Sequence, residues 1–288
     1  MGPQLPGTPL IAGMTGHVII LAATPIGNLG DASRRLVEAL ENAEVVAAED
    51  TRVTQRLLQA LRVENRPRLV ALHDHNERER SADLVEQAHD ADVLVLSDAG
   101  MPTVSDPGYH LVTAAIEAGV TVTAIPGPSA VLMALAVSGL PTDRFTFEGF
   151  LPRKPGERAS ALGALVDEQR TMVFFESPNR LADSLRAIGH ALGGSRRVVV
   201  CRELTKLHEE VRRGTVDELA QWADAGVRGE IVVVVAGAKP RAVDLATAVQ
   251  EVLLLTATES LKDAAASVAA ATGLSRRTLY EAALRARR

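Results

Sequence analysis

Little in this 288-residue sequence suits disulfide or metal chemistry. It holds one cysteine, Cys201, so no disulfide forms within the chain and the cysteine spacings of metal sites are missing. No metal is expected, and the cytoplasm is the expected compartment. Aromatic residues make up only 3% of the chain, which leaves little surface on which bases could stack. No apolar run approaches the roughly 20 residues of a membrane-spanning helix, so no membrane partner is expected. Residues 1–16 lack the basic start and long apolar centre of a secretion signal, and they read as a flexible extension. A basic surplus is missing too: 31 Lys and Arg against 36 Asp and Glu give a net charge of −5, whereas nucleic-acid-binding domains usually carry positive charge somewhere. The turn "TPIGNLGD" has neither the spacing of a dinucleotide-binding loop nor the Gly-Lys-Ser/Thr of a phosphate-binding loop.

What is present is an apolar fraction of 47%, distributed in runs. "HVIILAAT" (17–24), "EVVAAED" (44–50), "RLVAL" (68–72), "DVLVLSD" (92–98) and "VTVTAIPG" (120–127) read as short, fully buried strands separated by amphipathic helices. That alternation predicts a mostly parallel sheet. After a Pro- and Gly-punctuated stretch, "TMVFFES" (171–177), "RRVVVCREL" (196–204) and "GEIVVVVAG" (229–237) require a second sheet. The expected fold class is α/β, with an N-terminal α/β domain over 17–140, a C-terminal one over 141–240 and a helical tail over 241–288. In that tail Gly273 separates two helices and Ser275 caps the second.

Ligands of open parallel sheets bind beyond the carboxyl ends of the strands. The unusual turns fall there: "TPIGNLGD", "AEDTR", "LHDHNERE", "SDAGMPTVSDPG" and "PGPSA" follow the five runs in order. The fourth is stiffened by Pro102 and Pro107, and "PGPSA" presents backbone N–H groups at a helix start. Cations accompany these motifs: Arg52, Arg78, Lys154, Arg180, Arg202 and Lys206 suit phosphate contacts, or else they pair with neighbouring acids. Arg276 and Arg277 lie in a basic tail on an acidic body, either as RNA contacts or as a solvated helix end.

These motifs, together with "SGLPTDRFTFEGFLPRK", "ESPNR" and "RELTK", resemble in kind and order the bacterial 16S ribosomal RNA (cytidine 2′-O)-methyltransferases of the tetrapyrrole methylase superfamily, over about residues 17–237. Met101, Asn179 and Ala23 depart from the usual residues of that family. The resemblance implies two α/β domains with a cleft for S-adenosylmethionine between them. It implies cofactor contacts at Leu29, Ser97, Asp98, Gly100, Met101, Ser129, Ala130, Glu176, Leu204, Gly229 and Glu230. It also implies 16S rRNA or the small ribosomal subunit as partner, methylation of a ribose in the decoding centre, and a homodimer. Glu49, Asp50, His73, His75, Glu77 and Glu203 stand as alternative general bases; His75, Glu203 and Lys206 are the catalytic candidates. Two other functions are open to such a chain. One is methylation of a corrin or siroheme precursor on the same fold, and the other is a helix-turn-helix regulator built on the tail.

Overall fold

The computed structural model describes residues 17–239 and 243–287; the expected flexible extension, 1–16, lies outside them. The first half alternates β1 (Val18–Ala22), α1 (Arg34–Asn42), β2 (Val45–Ala48), α2 (Thr51–Ala60), β3 (Arg68–Ala71), α3 (Glu77–Gln87), β4 (Val93–Leu96), α4 (Tyr109–Glu117) and β5 (Thr121–Ile125). Its five strands are all parallel, in the order β3-β2-β4-β1-β5. Because side chains alternate along a strand, Val18, Ile20, Val46 and Leu94 meet α1 and α2 on one face. Ile19, Val45, Val93 and Val95 meet α3 and α4 on the other. Two strands depart from the full burial expected of them: β3 has no buried residue and β5 only Ile125. They are the edges of the sheet, where only part of each face is covered.

The second half runs α5 (Ala130–Ser138), β6 (Phe145–Phe150), α6 (Pro155–Gly163), β7 (Thr171–Glu176), α7 (Leu181–Leu192), β8 (Arg197–Arg202), β9 (Glu210–Thr215), α8 (Val216–Ala223) and β10 (Ile231–Val235). Its sheet has the order β6-β7-β10-β8-β9 and is mixed: only β6 and β7 are parallel. On one face Met172, Phe174, Val198, Val200 and Val233 pack against α7 and α8. The other face, with Val173, Val199, Cys201 and Val232, is covered by Val131, Ala134 and Leu135 of α5. By its contacts α5 therefore sits with the second sheet, although it precedes the expected division at residue 140. Arg213 of β9 fixes the end of this helix by donating to the carbonyls of Val137 and Ser138, as suits a cation at a helix C-terminus.

The tail is a three-helix unit, α9 (Leu245–Leu255), α10 (Leu261–Thr272) and α11 (Arg276–Ala286). Its own small core includes Val252, Val268 and Leu279. Gly273 ends α10 in the left-handed conformation, and the Ser275 hydroxyl accepts from Thr278 N to start α11. Among the described residues no helix is long and apolar enough to cross a membrane.

Candidate active site

The turns after β1 and β4 are locked together. Thr24 N donates to Gly100 O at 2.9 Å, Gly100 N returns the bond to Thr24 O at 3.2 Å, and the Thr24 hydroxyl donates to Ser97 O at 3.2 Å. Pro102 and Pro107 are buried, and Thr103 N reaches back to Pro107 O. Thr103 and Ser105 are non-glycine residues at φ of 76° and 64°, a costly conformation that persists only where surroundings enforce it. The polar turn is thus a rigid wall. With Ile26 of the first turn and the start of α5, it bounds a cavity of about 410 Å³ whose opposite side comes from the second sheet.

Of the expected cofactor contacts, Gly100, Met101, Ser129 and Ala130 line this cavity from the first wall. Glu176, Leu204, Gly229 and Glu230 line it from the second. Ser97 is buried behind the wall, donating to Gly100 O at 3.3 Å. Asp98 faces sideways: its carboxylate accepts from Asp50 N, and its own N–H donates to the Glu49 carboxylate, each at 3.1 Å. Leu29 is exposed on a short 3-10 turn. These three are not among the lining residues.

The titratable candidates separate by what already holds them. His75 is exposed in the turn after β3, its ring 6.1 Å from that of His73, and it does not line the cavity. Glu77 is buried as a cap: one carboxylate oxygen accepts from Gly108 N at 2.9 Å, His110 N at 2.6 Å and Leu111 N at 3.4 Å. It satisfies the orphan donors at the start of α4. Glu77→Ala should therefore lower unfolding stability by about 2 kcal/mol, the upper end for a lost cap, as read by urea denaturation. An exposed solvating role would leave the midpoint unmoved. The Arg52 guanidinium, bonded to Asp50 at 2.6 Å and 3.0 Å, holds that carboxyl down at about 2. Glu203 accepts from Glu230 N at 2.9 Å and from Lys206 Nζ at 3.0 Å, and these bonds lower its pKa. Lys206 in turn pairs with Glu230 at 3.0 Å, and its stem lies against Gly27, so it bridges the second half to the first turn.

Asp106 also lines the cavity; it was not among the residues singled out in the sequence, although it stands in the fourth turn. Burial, then the nearby Glu49 carboxylate, pushes its carboxyl up to about 7. Such an environment is not readable from a strand-loop-helix pattern. Cys201 also lines the cavity, and burial pushes its thiol up to about 12, which leaves it an inert apolar surface. Phe150 and Phe175, which line the second wall, are packed edge to face.

The cations differ in availability. Arg180 is turned inward, with its guanidinium on Glu176 and on the carbonyls of Leu151 and Pro152. Arg202 bonds Glu210 at 3.1 Å. Lys154 pairs with Glu157 at 2.8 Å but is exposed, as are Arg52 and Arg78. Arg276 and Arg277 border a second concavity of about 450 Å³ with Lys262 and Tyr280.

Residues 18–220 match the family model of the tetrapyrrole (corrin/porphyrin) methylases, and residues 243–287 match that of the RsmI C-terminal HTH domain. The chain belongs to the tetrapyrrole methylase family. It is 52% identical over 278 residues to the ribosomal RNA small subunit methyltransferase I of Mycobacterium tuberculosis (strain CDC 1551 / Oshkosh), covering 96% of this chain and 97% of that one. To the protein of the same name from Escherichia coli O157:H7 it is 44% identical over 271 residues, 92% and 94% of the two chains. A crystal structure of a uroporphyrin-III C-methyl transferase from Thermus thermophilus, complexed with S-adenyl homocysteine, superposes with a TM-score of 0.53 at 20% identity, over 77% of this chain and 97% of that one. At that identity the likeness is one of fold, and it is the tetrapyrrole methylase fold that the two sheets and their cleft build here.

Proposed function

We propose that this chain transfers the methyl group of S-adenosylmethionine to the 2′-hydroxyl of a cytidine ribose in the decoding centre of 16S ribosomal RNA. The observation that carries the reading is the cavity between the two sheets, in a chain that shares half its residues with an rRNA small subunit methyltransferase over nearly its whole length. The cytoplasm and a homodimer belong to the same reading.

The residues fit the cofactor. A cavity of about 410 Å³ is within the usual range for small ligands, and its apolar side chains, Ile26, Met101, Val131, Phe175 and Leu204, suit an adenine ring and a methylthio chain. The start of α5 at Ser129 and Ala130 offers N–H groups to a carboxylate, and Glu230 offers a partner for an ammonium. When bound, S-adenosylmethionine supplies a sulfonium methyl that needs no further activation. What the chain adds is alignment of the hydroxyl with that methyl, worth up to about 7–11 kcal/mol in ideal intramolecular cases, and a place for the departing proton.

The test is incubation of methyl-labelled cofactor with small ribosomal subunits and with porphyrinoid precursors, followed by mapping of ribose methylation in the rRNA. Label in one cytidine ribose is expected; label in the precursors would replace this reading with the corrin or siroheme one. The tail supplies RNA contact in the same proposal. Lys262, Arg276 and Arg277 flank one concavity with the half-exposed Tyr280, which suits phosphates and a base face. Deleting residues 243–288 should raise the KM for subunits and flatten the salt dependence of binding by about 0.7 log units per decade for each phosphate lost. Cofactor affinity should stay unchanged, because the cavity takes no residue from the tail.

A further inference from the structure

We infer that Asp106 is the group that receives the proton from the ribose hydroxyl as the methyl is transferred. This rests on the reading that a ribose hydroxyl is methylated at this cavity. Several other carboxylates near the cleft are engaged. Glu77 caps α4, Asp50 holds Arg52, Glu203 is tied to Lys206 and Glu230 N, and Glu49 accepts from Asp98 N. On the second wall Glu176 is bonded by Ser177, Ser184 and Arg180. Asp106 lines the cavity from the rigid first wall, beside Ser105 with its enforced φ, and the nearby Ser97 hydroxyl, which donates to Gly100 O, is the group able to bond it.

That hydroxyl accommodates both protonation states. A hydroxyl can donate one hydrogen bond and accept others. With Asp106 ionised, the Ser97 hydroxyl can turn to donate to it. With Asp106 protonated, the new O–H donates to Ser97 Oγ, which donates to Gly100 O at 3.3 Å. The charges facing Asp106 are Glu49 at the end of β2, Asp98 at the end of β4 and Asp74 in the turn after β3; Glu230 lies on the opposite wall. All are acidic, and with burial they favour the proton on Asp106, up to about pH 7. A base that titrates near the working pH is the efficient kind. The step balances: the ribose oxygen forms a bond to the methyl carbon, the carbon–sulfur pair stays on sulfur as a neutral thioether, and the proton passes to the Asp106 carboxylate.

The test compares wild type with Asp106→Asn and Asp106→Glu. In single turnovers on small subunits, the wild-type rate should rise with pH to a plateau with a midpoint near 7. Asp106→Asn should lose that rise and about 10²-fold in rate, with S-adenosylhomocysteine affinity within threefold of wild type. Asp106→Glu should restore the pH-dependent limb. A second readout needs no turnover. The native carboxyl keeps its proton to about pH 7, the unfolded one only to about 4, so the folded chain binds more protons in between. Its contribution therefore declines as pH rises from about 4 to 7, and Asp106→Asn should remove that slope and be the more stable protein at pH 8. The proposal is overturned by an Asn variant that keeps its rate, by one that loses cofactor-product affinity as steeply as rate, or by an unchanged pH slope of unfolding. A wild-type chain that methylates no ribose overturns the functional reading and this one with it, whereas an active Asn variant overturns this one alone.

Discussion

Glu176→Ala is expected to destabilise the chain by about 3 kcal/mol, the lower end of the range for breaking a buried ion pair, as measured by urea denaturation. The carboxylate side chain is 1% exposed, against 24% for Arg180, whose Nε lies 3.5 Å away. Ser177 N donates to one oxygen at 2.7 Å and the Ser184 hydroxyl donates to the other. Removal would strand a cation, a hydroxyl and an N–H at once. Arg180 keeps its bonds to the carbonyls of Leu151 and Pro152 and some contact with water, which is why the lower end applies. Ser184→Ala removes only one donor and should cost about 1–2 kcal/mol. If Glu176→Ala left stability intact while abolishing ligand binding, the carboxylate would be a ligand contact rather than the bolt between β7 and α7.

Gly229→Val should weaken S-adenosylhomocysteine binding by about 100-fold, observable by calorimetry. Gly229 lies at φ +93°, and a Cβ there would meet Glu203 Cγ at 2.5 Å and its carboxylate oxygen at 2.6 Å. A β-branched residue at positive φ is strained before any clash is counted. Glu203 cannot yield cheaply, because it too is at positive φ, 51°, and is held by Glu230 N and Lys206. Strain of about 1–3 kcal/mol would be relieved by moving the second wall, and about 2.7 kcal/mol of lost complementarity is a hundredfold in affinity. Full affinity in a folded Gly229→Val chain would show that the wall can shift without touching the ligand.

Much of this architecture was legible because buried central strands leave a strong trace. The runs around Ile19, Val46, Leu94, Phe174 and Val233 are apolar on both faces, and each became a central strand. Edge strands leave a weaker one. β9, "EVRRGT", pairs antiparallel with β8 yet has no buried residue, and nothing in its composition distinguishes it from a loop. β6, "FTFEGF", carries a register shift between Phe147 and Phe150 and sits among prolines and glycines that read as a linker. At the cavity, motif identity led to eight lining residues, Gly100, Met101, Ser129, Ala130, Glu176, Leu204, Gly229 and Glu230. It did not reveal which acids were already engaged. Glu77 and Asp106 look alike in the sequence; one is a helix cap and the other faces the cavity, and only the packing of α3 against α4 separates them.

The placement of α5 has a mechanical consequence. Ile125 is the last buried residue of the first core and Val131 the first of the second, so the chain crosses between halves in the five residues Pro126 to Ala130. Two of these are prolines, with fixed φ. A tether this short holds the halves at an effective concentration far beyond that of separate molecules, so a cleft that opens re-forms without a diffusional search. Ser129 and Ala130 of the tether also line the cavity. The segment that joins the halves is thus also part of the cavity wall, so a shift of one half against the other would change the shape of the cavity.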